Sequence, residues 1–287
     1  MQFHFLGTGT SAGVPSIGCD CAVCTSSDPR DQRLRTSAAI VYQDPQARHD
    51  DKKRTVLIDA GPDLRQQALR SKLTRCDAIF FTHNHVDHTF GLDEIRRFNV
   101  VQRAPVDLFA EEHTMKFLHR VYEHVFDPAK NINDSFVASV IAHRLTPSLS
   151  PVDVHGLRWT PIRLLHGRLP VLGYRIEPAP RSTLSAPWLP LAYCTDMSAL
   201  PPESWPLLEG LSTLVIDALR FRKHPTHLTI DEALSIIDRV RPKRAYLTHM
   251  AHEVAHAETQ EQLPENVFLA YDGLVLEAEP AAGAGAP

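Results

Sequence analysis

Thr82-His83-Asn84-His85-Val86-Asp87-His88 places four potential metal ligands within six residues, directly after the apolar run Ala78-Ile79-Phe80-Phe81. Alternate residues of an extended chain share a face, so His83 and His85 reach one point. Asp87 and His88, carried round by the turn, reach a second. Histidine pairs at this spacing beside an acid suit a ligand role for a transition metal, and the loop can hold two adjacent cations.

Three more apolar segments end in a residue of the ligand type: Arg163-Leu-Leu-His166, Leu191-Ala-Tyr-Cys-Thr-Asp196 and Ala245-Tyr-Leu-Thr-His249. One such terminus is an ordinary edge residue, but three repeats of the pattern argue for one shared site. The candidate ligands fall before residue 90 and after residue 160, which suggests two halves meeting at that site.

Cys19, Cys21 and Cys24 have Cys-x-Cys-x-x-Cys spacing, too close for a disulfide framework in a chain of 287 residues. They read as thiolates for a structural zinc, whose closed site needs a fourth ligand. Cys76 and Cys194 lie in apolar segments and read as small buried thiols.

The composition, 43% hydrophobic and 22% charged, fits a globular protein with a substantial core. A formal net charge of -4 provides no general basic field for nucleic acid, although Lys52-Lys53-Arg54, Arg96-Arg97 and 220–223 form local clusters. No apolar stretch approaches the ~20 residues that span a bilayer, and the N-terminal residues lack a signal-like pattern; a cytoplasmic protein without membrane contact is expected.

Short apolar runs at 3–6, 38–42, 55–58, 78–81, 106–109, 172–176, 189–194, 213–216, 245–247 and 267–269 read as strands. Helical patterns occupy 63–72, 112–125 and 230–240, the last with a capping box from Thr229 and Glu232. Residues 44–53 read as an exposed hairpin or loop, and the prolines of 178–190 disfavour regular structure. The expectation is a single mixed α/β domain over residues 1–279, with a disordered tail at 280–287.

The ordered set of residues resembles the metallo-β-lactamase superfamily of hydrolases, over nearly the whole chain. In that family a His-x-His-x-Asp-His loop, a later His, an Asp after a strand and a final His bind two metals in an αββα sandwich. The resemblance implies that His83, His85 and His166 hold one metal and Asp87, His88 and His249 the other, with Asp196 bridging. Asp59, in Leu57-Ile58-Asp59-Ala60-Gly61, matches the family's Asp-Gly element and is expected to be structural. Two metals about 3.5–4 Å apart can share a water and activate it, so a bridging hydroxide is the expected nucleophile. No serine or cysteine nucleophile is then needed.

Within the superfamily, Gly18 to Cys24 and His252, three residues after His249, are similar to the PhnP-like phosphodiesterases, where a Cys-Cys-Cys-His zinc lies close to the catalytic metals. His252 is accordingly the fourth expected ligand of Cys19, Cys21 and Cys24. His227, in His227-Leu228-Thr229, resembles the histidine that sits over the metals in these and in transfer-RNA 3′-processing relatives. With Asp87 it completes the expected catalytic pair, His227 stabilising phosphoryl oxygens or protonating the leaving alkoxide. His224 competes for that role.

The reaction implied is hydrolysis of a small cyclic or nucleotide-like phosphodiester, with two active-site metals, zinc or manganese, and one structural zinc. The resemblance also implies a homodimer. One alternative is a transfer-RNA 3′-processing-type endoribonuclease, against which stand the negative charge and the lack of a Gly/Pro/Lys-rich arm. A second alternative is a non-hydrolytic zinc-binding protein of the same fold.

Overall fold

Ala78–Phe80 forms a strand, β4, buried on both faces and paired in parallel with a neighbour on each side. This explains why the run preceding the histidine loop is continuously apolar rather than alternating. A computed structural model describes residues 1–47, 52–132, 135–146 and 150–277; the expected tail at 280–287 lies outside them.

β4 sits in a seven-stranded sheet with β1 (Gln2–Gly7), β2 (Ser37–Gln43), β3 (Lys53–Ile58), β5 (Val106–Glu111), β6 (Val140–Leu145) and the last strand, β14 (Val275–Glu277). Their order is β14-β1-β2-β3-β4-β5-β6. A second seven-stranded sheet has the order β13-β12-β11-β10-β9-β8-β7. Its strands are β7 (Val152–Val154), β8 (Leu157–His166), β9 (Leu169–Pro178), β10 (Leu191–Cys194), β11 (Thr213–Asp217), β12 (Arg244–Thr248) and β13 (Val267–Leu269). Strands β3 to β6 run parallel in the first sheet, and β10 to β13 in the second.

The sheets face each other across an aromatic core in which Phe80 stacks on Trp159 at 4.0 Å and on Phe109 at 4.5 Å. Outside the first sheet, a second apolar cluster packs α1 (Leu64–Arg70), α3 (Arg96–Gln102) and α4 (Glu112–Val121) onto it. Outside the second, α6 (Ile230–Val240) covers a third cluster through Ile230, Ala233 and Ile237. Helix, sheet, sheet, helix is the expected αββα sandwich. Among the described residues the short α2 (Val86–Thr89), α5 (Glu123–Phe126) and α7 (His256–Gln260) complete the α-helices, and none is long and apolar enough to cross a membrane.

The helical pattern expected over 112–125 breaks at Tyr122, whose backbone leaves the helical region while its hydroxyl donates to Thr89 O at 3.0 Å. The helix expected over 63–72 begins at Leu64; Asp63 flanks it but spends its carboxylate on Arg35 rather than on the helix N-terminus. No helix or strand occupies 179–190, in keeping with its prolines.

Candidate metal centre

Parallel strands end on the same edge of a sheet, and the crevice outside their carboxyl ends is where such sheets gather ligands. Here Asp59 follows β3, His83 follows β4, His166 closes β8, Asp196 follows β10, Asp217 closes β11 and His249 follows β12. Asp59, Asp196 and His249 all have positive φ, at 62°, 52° and 62°. Left-handed backbone at non-glycine residues is costly and tends to persist where a site needs a side chain aimed out of the strand direction.

The structure brings the expected ligands into two groups. Within each, the donor atoms lie within 4.8 Å of one another: His83, His85 and His166 in one; Asp87, His88, Asp196 and His249 in the other. Gly61 backs the loop, since a Cβ there would stand 2.0 Å from Asp87 O. Ala60 N–H donates to His88 O at 2.8 Å and Gly91 N–H to Ala60 O at 2.8 Å, pinning α2 against the Asp59-Ala60-Gly61 turn.

Hydrogen bonds behind the rings assign their tautomers. Asp59, fully buried, accepts from Thr82 N–H at 2.8 Å, from the Thr82 hydroxyl at 2.8 Å and from His88 Nδ1–H at 2.7 Å. With its proton committed to Asp59, the Thr82 hydroxyl can only accept from His83 Nδ1–H, 2.9 Å away. His166 Nδ1–H donates to Thr226 O at 2.8 Å. In His83, His88 and His166 alike, Nδ1 is spent outward and Nε2 is left as a lone pair facing the cluster. His83 Nε2 and His249 Nδ1 are buried without a hydrogen-bond partner, and His88 Nε2 and His249 Nε2 face Asp196 Oδ2 at 3.3 Å and Asp196 Oδ1 at 3.1 Å. Orphaned buried acceptors cost stability unless something satisfies them, and outer hydrogen bonds that fix imidazole orientation are the usual support of metal ligands.

The electrostatics agree. Burial opposes charge on Asp196, yet His249 and His88 beside it hold its carboxyl well below the usual carboxylate range. Burial likewise works against charge on His88 and His249, but Asp196 outweighs it and raises both. The centre of the second group thus favours positive charge, and His83, lowered by burial, stays neutral and able to ligate. A pair of divalent cations fits this donor set.

His227 lies over both groups, its ring 4.5 Å from that of His166 and 4.7 Å from that of His249. Its Nδ1 is 2.7 Å from Asp217 Oδ2, which also accepts Met197 N–H at 3.0 Å. Asp217 lies one residue beyond the apolar run expected as a strand at 213–216 and is absent from the expected site, although it repeats the pattern of an acid at an apolar strand end. His224, 5.1 Å from His227 ring to ring, accepts hydrogen bonds from Thr226 and supports the loop.

Cys19, Cys21, Cys24 and His252 also converge, their ligand atoms within 4.8 Å. His252 Nδ1 is 3.2 Å from Cys19 Sγ and 3.3 Å from Cys21 Sγ. Cys24 N–H donates to Cys21 Sγ at 3.4 Å, and that bond together with His252 brings the Cys21 thiol down to about 6, whereas burial holds Cys24 up at about 11. Three sulfurs and one imidazole in a tetrahedral number fit zinc.

Curated relatives match the chain closely enough to compare. It is 35% identical to an octanoyltransferase of Porphyromonas gingivalis over 96% of its own length, but spans only 51% of that protein. It is 26% identical to a coenzyme PQQ synthesis protein B of Methylobacterium nodulans, over 76% of this chain and 72% of that one. Among solved structures, a diphosphatase from the PhnP family superposes with a TM-score of 0.81 at 39% identity, covering 96% of each chain. The sequence profile of the beta-lactamase superfamily domain matches residues 54–250, which contain every expected active-site ligand, and the chain belongs to that family.

Proposed function

We propose that this chain is a metal-dependent hydrolase of a small phosphodiester, or of the phosphoanhydride in a diphosphate, which is opened by the same kind of displacement at phosphorus. The observation that carries this reading is the convergence of His83, His85, Asp87, His88, His166, Asp196 and His249 beneath a histidine held by its own carboxylate. Bound by those donors, two divalent cations would supply Lewis-acid polarisation and a nucleophilic water at neutral pH. The 39% identical PhnP-family diphosphatase supports the phosphoryl class of substrate.

The chain's own residues supply the rest. Asp217 takes the Nδ1–H of His227, which leaves Nε2 as the atom offered to substrate. A protonated His227 donates from Nε2 to the departing oxygen, and Asp217 stabilises the imidazolium until it does. His85, more exposed than its partners, marks the open side of the cluster. Acyl transfer of the kind named for the octanoyltransferase is not carried over, since the chain spans only 51% of that protein.

The test is turnover by metal-quantified protein, with added zinc or manganese, of bis(p-nitrophenyl) phosphate, a 2′,3′-cyclic nucleotide, a nucleoside diphosphate and a precursor transfer RNA. Hydrolysis of one or more small substrates without RNA cleavage is the expected result. RNA cleavage alone, or inactivity of fully metallated protein, would overturn it.

A further inference from the structure

Among the described residues Arg33 is the largest buried charged side chain, at 1% exposure. Nη1 donates to Ala251 O at 3.1 Å, and Nη2 to Val254 O at 2.6 Å and Asp31 Oδ1 at 3.0 Å. The two carbonyls bracket His252. Asp31 Oδ1 also accepts His256 N–H at 2.9 Å, so one guanidinium–carboxylate pair fastens residues 251–256.

The backbone of Arg33 fastens the other half of the thiolate site. Val14 N–H donates to Arg33 O at 2.8 Å, and Arg33 N–H to Val14 O at 2.7 Å. Val14 packs with Val23 and Cys24, against which Cys19, Cys21 and Ala255 lie. The cysteine loop hangs from Arg33 by its main chain and the His252 turn by its side chain.

His249 stands three residues before His252 on the same turn. Between them, Met250 N–H donates to Thr8 O at 2.9 Å and Ala251 N–H to Leu219 O at 2.9 Å, and Thr10 N–H donates to Met250 O at 3.2 Å. These bonds leave residues 249–252 little freedom to move independently. We propose that Arg33 is a positioning residue that couples the thiolate site to the active-site cluster, setting the place of both His252 and His249 through one clamped turn. This rests on the ligand assignment above but not on the substrate.

The test compares wild-type protein with Arg33→Met, Arg33→Lys, Cys21→Ser and the outer-layer variant Leu118→Ala, a control for general loss of stability. Cobalt substitution reads the thiolate site through its sulfur-to-metal charge-transfer band, and chelator competition reads active-site affinity. Arg33→Met should lose the band, and both it and Cys21→Ser should weaken active-site binding by about 10–100-fold, the range typical of outer-shell metal supports. Arg33→Lys, which keeps charge but lacks the planar fork, should fall between. Leu118→Ala should melt lower and bind as wild type. A wild-type band and affinity in the Arg33 variants, or wild-type active-site affinity in Cys21→Ser, overturns the coupling. If Arg33→Met does not fold, Arg33→Lys and Cys21→Ser decide it. Absence of the band in wild type overturns the ligand assignment and the coupling with it.

Discussion

His227 Nδ1 and Asp217 Oδ2 are 2.7 Å apart, and Asp217 is fully buried at the end of β11. The pair fixes which nitrogen of His227 faces the ligand cluster. If His227 serves proton transfer, His227→Ala should lower kcat by about 10²–10⁴-fold with metal content unchanged. Asp217→Asn, which can present the wrong hydrogen-bonding group to Nδ1, should lose kcat in the same direction with little change in KM. Kinetics alongside metal analysis check both; metal loss in His227→Ala would make His227 a ligand instead.

Asp59 holds three donors, two from Thr82 and one from His88. Asp59→Ala should release both the His88 ring and, through Thr82, the His83 ring, weakening active-site metal binding by about 10–100-fold. Chelator competition measures this. Wild-type affinity in the variant would mean that the rings are held by α2 and β4 alone.

Parallel strands buried on both faces were legible because their centres leave an apolar run, as in Ala78–Phe80 and in Leu214 to Ile216 of β11. Strand β6, reading Val-Ile-Ala-His-Arg-Leu, is an edge strand, and its adjacent His143 and Arg144 break both an apolar run and an alternation. The start of β8 interleaves Arg158, Thr160 and Pro161, so neither was legible as a strand. The helix break at Tyr122 depends on a tertiary hydrogen bond to Thr89 that no local pattern encodes. In the site, residues following strand ends announced themselves by position. Asp217 carried the same signal at the end of β11, but its role as the partner of His227 is set by tertiary folding, as are the carbonyls of Ala251 and Val254 that hold Arg33.

Thr229 caps α6 reciprocally: its hydroxyl accepts Glu232 N–H at 3.1 Å, and its own N–H donates to Glu232 Oε2 at 2.9 Å. Thr229→Ala should cost about 1 kcal/mol. Chemical denaturation should register that loss, while active-site metal content stays unchanged because His227 is fixed by Asp217 rather than by the cap. A cost near zero would show that packing of Ile230 and Ala233 alone defines the helix start.

His256 is buried beside Tyr271, and burial, reinforced by Arg30 and Arg33, pushes its pKa from 6.5 down to about 4. Between those two values the unfolded chain takes up a proton that the folded chain refuses, so stability falls as pH drops from 6.5 toward 4 and is fully present above 6.5. His256→Gln removes that proton from both states. Denaturant midpoints measured across this interval, with chelator present so that metal release does not contribute, should fall less steeply with acid for the variant than for wild type. Equal slopes would mean that the imidazole is as easily protonated inside the fold as outside it.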